Sequence, residues 1–146
     1  MSVATAAAPL TITRLGHDRE DRGLFRAREL SATTVLVAAV GEIDASNSGE
    51  LLSYVEKLLP SYNQLVLDLS RLSFFGTDGY STLHSINTRC SRRGVDWVLV
   101  PGPAVSRVLR VCDPDELFAT ETNIVSATAA LARGPHTHLQ LAPLAQ

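Results

Sequence analysis

Residues 64–79, QLVLDLSRLSFFGTDG, decide how this chain is read. Gln64–Leu69 reads as a strand, apolar except for Asp68. Gly76-Thr77-Asp78-Gly79 then leads into a helix with Leu83, Ile86 and Cys90 on one face, ending in Ser91-Arg92-Arg93-Gly94. Basic residues in a last turn oppose the helix dipole, and Gly94 suits a left-handed C-cap. Upstream, Leu24–Leu30 and Thr33–Val40 are strand-like, with Ser31-Ala32 between them as a tight hairpin. Asn47 stands three residues before Glu50, an N-cap arrangement opening a helix. Leu51, Leu52, Val55, Leu58 and Leu59 follow at helical spacing, and Pro60 stops the run. Downstream, Val95–Val100 is a strand, and Pro103 begins a helix striped by Val105, Val108, Leu109 and Cys112. Asp113-Pro114 ends that helix; an extended piece at Leu117–Ala119 precedes a last helix from Asn123 to Ala132.

The resulting order is β-β-α-β-α-β-α-β-α. Each strand–helix–strand passage is long enough for a right-handed crossover, so the last three strands are expected to run parallel. With the opening hairpin this predicts an α/β fold with a mixed sheet. Functional groups in such sheets collect beyond the C-terminal ends of the parallel strands, here Gly41–Asn47 and Ser70–Asp78. Residues 1–22 and 134–146 read as flexible tails around one domain, 23–133.

Composition narrows the function. Of 146 residues, 45% are hydrophobic, enough for one real core. Thirteen basic against 15 acidic residues give a net charge of −2, which argues against a nucleic-acid binder. No apolar run approaches the roughly 20 residues that span a bilayer, and the N-terminus does not resemble a signal peptide. A cytoplasmic protein with no membrane contact is expected. Two cysteines are too few for a disulfide framework or a zinc site, and the His136-x-His138 pair lacks a third ligand nearby. No metal or cofactor is therefore expected. The chain has no GxxxxGK[ST] loop, no GxGxxG and no kinase aspartate motif, so it reads as a non-enzyme.

Three segments carry a resemblance. Gly41-Glu42-Ile43-Asp44, LVLDLSRLSFFGTDG (65–79) and VLVPGPAVSRVLRVC (98–112) resemble, in that order and spacing, the STAS domain of bacterial anti-sigma-factor antagonists. The resemblance covers about residues 24–132. It implies a STAS-like mixed sheet with an initial hairpin and helices packed mainly on one face. It also implies a partner, an anti-sigma factor that is a serine/threonine kinase of the histidine-kinase-like ATPase fold. Holding that kinase frees a sigma factor in the stress response, and phosphorylation of the antagonist ends the hold. The family's Asp-Ser-Ser/Thr-Gly acceptor sequence falls on Gly76, Thr77, Asp78 and Gly79, so Thr77 takes the acceptor position. The aspartate is lost at Gly76, and the following Leu-Gly becomes Tyr80-Ser81. The partner surface is expected to comprise Asp44, Gly76, Asp78, Gly79, Tyr80, Ser81 and His84, on a monomer or weak dimer.

The residues have chemistry of their own. Thr77 or Asp78 can N-cap the helix, and the same geometry exposes a hydroxyl at its positive end, where a phosphate meets unpaired N–H groups. Asp78 repels that phosphate, yet its own charge imitates about half of a phosphothreonine's. Asp44 can equally be a turn aspartate, Gly41 a conformational glycine, and Asp68 an acceptor for backbone donors. Tyr80, His84 and Asn87 share a helix stripe turned away from the core. Cys90 and Cys112 lie on apolar stripes of consecutive helices, which suits buried, inert thiols. It also leaves open a second reading: a sensor module of the same fold, governed by thiol redox state or a ligand.

Overall fold

Thr34–Ile43 and Gln64–Phe75 carry near-continuous apolar runs, and successive strand residues point to opposite faces, so each places apolar side chains on both faces of a sheet. The computed structural model describes residues 9–14 and 24–134. Its strands are β1 (Pro9–Arg14), β2 (Leu24–Glu29), β3 (Thr34–Ile43), β4 (Gln64–Phe75) and β5 (Asp96–Val100). The helices are α1 (Ser48–Leu58), α2 (Thr77–Arg93), α3 (Gly102–Cys112) and α4 (Ile124–Ala132), with a 3-10 turn at Leu59–Ser61. The strands lie in chain order in one sheet. β1–β2 and β2–β3 are antiparallel, whereas β3–β4 and β4–β5 are parallel. This is the mixed α/β sheet, with its β2–β3 hairpin, that the sequence predicts.

α1, α2 and α3 cover one face. Phe25, Val35, Val37, Leu65, Leu67 and Trp97 form its floor and pack against Leu51, Val55, Leu83, Ile86 and Val105. The second face holds a smaller cluster, Leu36, Val66, Val98 and Val100 under Ala127 and Leu131 of α4. Each large side chain so buried stabilises the fold by roughly 1.5–3 kcal/mol relative to exposure. At the far end of α2, Gly94 takes the left-handed conformation, φ 69°, and its N–H closes the helix onto Cys90 and Ser91 carbonyls.

Four expectations are corrected. The stretch read as an N-terminal tail contains β1, which pairs with β2 over Pro9–Arg14. Its short alternation, PLTITR, is too slight a signal without a partner strand to pair with. Leu117–Ala119 is not a strand: the segment meets β5 through the single bridge Leu99–Thr120. Its start is turned by Glu116, at φ 52°, which prevents a longer extended run. β3 and β4 each continue beyond the predicted ends, to Ile43 and Phe75. Register shifts at Ala38–Val40 and Gly41–Glu42 let the pair bend and stay bonded, and Gly41 supplies φ 95° at the second. Finally, Asn87 is not on an outer stripe. It is buried and accepts a 2.9 Å hydrogen bond from Trp97 Nε1, which satisfies the indole inside the core.

Gly102, the first residue of α3, packs directly against β4. It has φ 71°, and a Cβ there would sit 2.4 Å from Ser70 Cα and 2.7 Å from its carbonyl oxygen. Gly102→Ala is therefore expected to destabilise the chain by about 2–4 kcal/mol in urea unfolding. Gly94 has similar φ but open space around it, so Gly94→Ala should cost only about 1–2 kcal/mol. Equal losses would show that the approach to Ser70 is not what demands glycine.

Candidate partner-binding site

Ile43 lies opposite Phe75 in the last rung of the β3–β4 ladder. Asp44 and Gly76 therefore leave the sheet side by side, and the Gly76 N–H donates to the Ile43 carbonyl at 3.0 Å. On one side the chain forms the 44–47 turn, on the other the first turn of α2. Asp44 Oδ1 accepts from Ser46 N at 2.9 Å and Ser46 Oγ at 2.7 Å, the turn role open to it from sequence. Asn47 is buried. Its Oδ1 accepts from Asp44 N at 2.9 Å and its Nδ2 donates to the Glu42 carbonyl at 2.8 Å. It occupies the N-cap position of α1 without a side-chain cap bond, because both ends of its amide are spent pinning this turn.

α2 begins without a side-chain cap. Gly76 is the N-cap residue, so neither Thr77 nor Asp78 plays the capping role expected of one of them. Both are exposed in the first turn, Asp78 with its negative charge at the positive end of the helix. Ser81 is exposed one turn on. Gly79 is buried: a Cβ there would fall 2.4 Å from the Phe75 ring, so this glycine serves packing. Gly76 has an ordinary φ of −89°, and a Cβ would approach the Phe74 ring at 3.3 Å.

The Tyr80–His84 stripe is only half open. The two rings meet edge-on at 4.8 Å, and Phe118 closes over them at 6.0 and 5.1 Å. Burial pushes the Tyr80 hydroxyl up from its ordinary pKa, helped by the neighbouring Asp113. The sequence reading passed over Phe74. Alternation sends Phe75 into the core and leaves Phe74 49% exposed, an aromatic ring beside Gly76 and Thr77. The Phe-Phe pair at a strand end was the signal, since one of two adjacent strand residues must face out.

Comparison with known proteins bears on this geometry. The family described as STAS domain matches residues 26–127. This chain belongs to the STAS domain family. Osmosensory protein A of Mycobacterium tuberculosis H37Rv is 38% identical over 106 residues, spanning 71% of this chain and 67% of that protein. The anti-sigma-F factor antagonist RsfA of the same organism is 31% identical over 102 residues, 67% of this chain and 80% of RsfA. A crystal structure of an anti-sigma factor antagonist from Mycobacterium paratuberculosis superposes with a TM-score of 0.69 at 23% identity, covering 77% of this chain and 96% of that one. The STAS fold is thereby shared, and the relatives of this STAS domain include named anti-sigma factor antagonists.

The two cysteines of this STAS domain are both free thiols. Cys112 lies near Tyr80, at the start of α2. Cys90 is ten residues further along that helix, about 15 Å by helical rise. The two thiols are not bonded to each other, and Cys90 is fully buried. Among the described residues no cluster of three metal-ligating side chains occurs, and no helix is long and apolar enough to cross a membrane. His136 and His138 lie outside the described residues.

Burial pushes the Cys90 thiol from its ordinary 9.0 to about 12, and burial together with the Glu29 bond does the same to Tyr62 from 10.0. An unfolded chain would release these protons first. The stability they contribute is whole below about pH 9 and is lost as pH rises towards 12, so urea midpoints should fall across that window. Iodoacetamide at pH 8 is expected to label Cys112 and spare Cys90 until urea is added. Labelling of both in the native chain would contradict the burial of Cys90.

Proposed function

We propose that this chain is an anti-sigma factor antagonist. It holds an anti-sigma factor, a serine/threonine kinase of the histidine-kinase-like ATPase fold, and so releases a sigma factor; a phosphoryl group on Thr77 ends the hold. The observation that carries the reading is the exposed Thr77, two residues past the end of β4 and beside the Asp44 turn, in a chain 31% identical over 102 residues to a named antagonist.

The chemistry asks little of this chain. The kinase brings ATP, Mg²⁺ and a base. Thr77 Oγ1 forms the new O–P bond as the bond from the γ-phosphorus to ADP breaks, and the hydroxyl proton goes to the partner's base. An exposed residue in a helix's first turn presents its oxygen without unfolding anything. The surface around it is mixed: Phe74 offers an apolar anchor, while Asp44, Glu42 and Asp78 are acidic. A phosphate adds a charge of about −1.5 to −2 to that neighbourhood. A partner shaped for a neutral hydroxyl then meets a dianion beside the carboxylates, and the aromatic contact must form next to a strongly hydrated group. Tyr80, Ser81 and His84 extend the proposed contact along α2, with Gly76 as the close-approach point.

For a second reading, control by thiol redox state, the fold offers one fully buried and one half-buried thiol, both free.

Mixing the chain with its cognate kinase, Mg²⁺ and ATP is expected to add the mass of one phosphoryl group to wild type and none to Thr77→Ala. Thr77→Ala should keep its affinity for the kinase, and Thr77→Glu should lose at least about tenfold, as should Phe74→Ala. A wild type that binds yet never gains phosphate would remove Thr77 as the switch. Failure to bind any such kinase would remove the antagonist reading altogether.

A further inference from the structure

The second face of the sheet is only partly covered. α4 packs over β4 and β5, leaving the upper part of β2 and β3 open beside its first turn. A groove of about 420 Å³ lies there, within the range of small-molecule sites, roughly 300–1,000 Å³. Its floor is apolar: Leu36, Ala38 and Val40 are successive same-face residues of β3. Arg26 and Arg28 line it from β2, where they stand opposite Ala38 and Leu36 in the ladder, and Arg71 lines it from β4.

The charge of the groove is lopsided. All three arginines are exposed, and none forms an ion pair with another described residue. The one carboxylate among the described lining residues, Asp68, is buried, and its Oδ1 accepts from Ser70 N at 3.0 Å and Ser70 Oγ at 2.6 Å. It serves its own strand. Guanidinium groups offer forked donors suited to phosphate and carboxylate oxygens, and they hold their charge at any physiological pH.

We propose that this groove binds a small, doubly charged organic anion with an apolar body. The acidic groups meet Arg26, Arg28 and Arg71, and the body lies on Leu36, Ala38 and Val40. Charge complementarity selects an anion, and the groove's volume with its apolar floor selects a small molecule over a bare ion. The site is on the sheet face away from α2, so it is separate from the Thr77 surface and does not rest on the antagonist reading.

The test uses the full chain and three probes followed by NMR titration: phenyl phosphate, phthalate and inorganic phosphate. At least one aromatic probe is expected to bind tenfold or more tightly than inorganic phosphate, with shifts centred on β2 and β3; whichever does so names phosphate ester or dicarboxylate as the class. Arg28→Gln combined with Arg71→Gln should weaken that probe at least tenfold while leaving the unfolding midpoint unchanged. Ala38→Leu keeps every charge but fills the floor, and should reduce the aromatic probe to the level of inorganic phosphate. Thr77→Ala should bind it like wild type. Equal binding of all three probes, or unchanged binding in the groove variants, would overturn the proposal and leave a basic surface patch or an acidic protein segment as the meaning of these arginines.

Discussion

The parallel pairing of β3 with β4, carried to its last rung, is the constraint on which the rest of this molecule depends. Ile43 opposes Phe75, and the Gly76 N–H then bonds the Ile43 carbonyl. Two chain segments separated by a whole helix are thereby released from the sheet at the same height. The Asp44 turn and the exposed Thr77 are neighbours for that reason alone. A ladder ending at Val40 and Leu69, as the apolar runs suggest, would leave these residues on separate loops.

Keeping the ladder intact that far requires local concessions from particular residues. Gly41 accepts a positive φ where the register shifts, and Ser73 Oγ bonds the Gly41 carbonyl at 3.1 Å across the shift. Asn47 spends its amide on the 42–44 backbone and gives up the capping bond its position offers. Gly79 lets α2 settle on the Phe75 ring, and Gly102 lets α3 touch the Ser70 backbone. These residues hold the site in place and touch no partner in the proposed mode. Phe74 and Thr77, by contrast, are left outside by the same packing, which is what makes them available.

The two faces of the sheet divide the molecule's chemistry. On the α1–α3 side, burial is nearly complete, and the thiol of Cys90 and the indole of Trp97 are enclosed with Ile86 and Leu99. On the α4 side, one nine-residue helix covers half the sheet and leaves a basic groove over the rest. The proposed phosphoryl switch at the end of the sheet and the proposed anion site on its open face are compatible because neither uses the other's residues.

Much of this was legible in the chain itself. Apolar periodicity, Pro60 and Gly94 place the helices, and Asn123, read only as the start of the last one, caps α4 by accepting from Ser126 N at 2.8 Å. The acceptor position proposed for Thr77 comes from the family resemblance laid over Gly76–Gly79, not from the turn alone. What sequence did not determine were quantities set by distant partners. β1 exists because β2 offers it an edge, Leu117–Ala119 fails as a strand because β5 gives it one bridge, and Asn87 turns inward because Trp97 needs an acceptor. Local propensity is written in neighbouring residues, so a sequence states it openly. Pairing, burial and the choice of hydrogen-bond partner are decided between residues far apart in the chain, and only the folded arrangement brings those into contact.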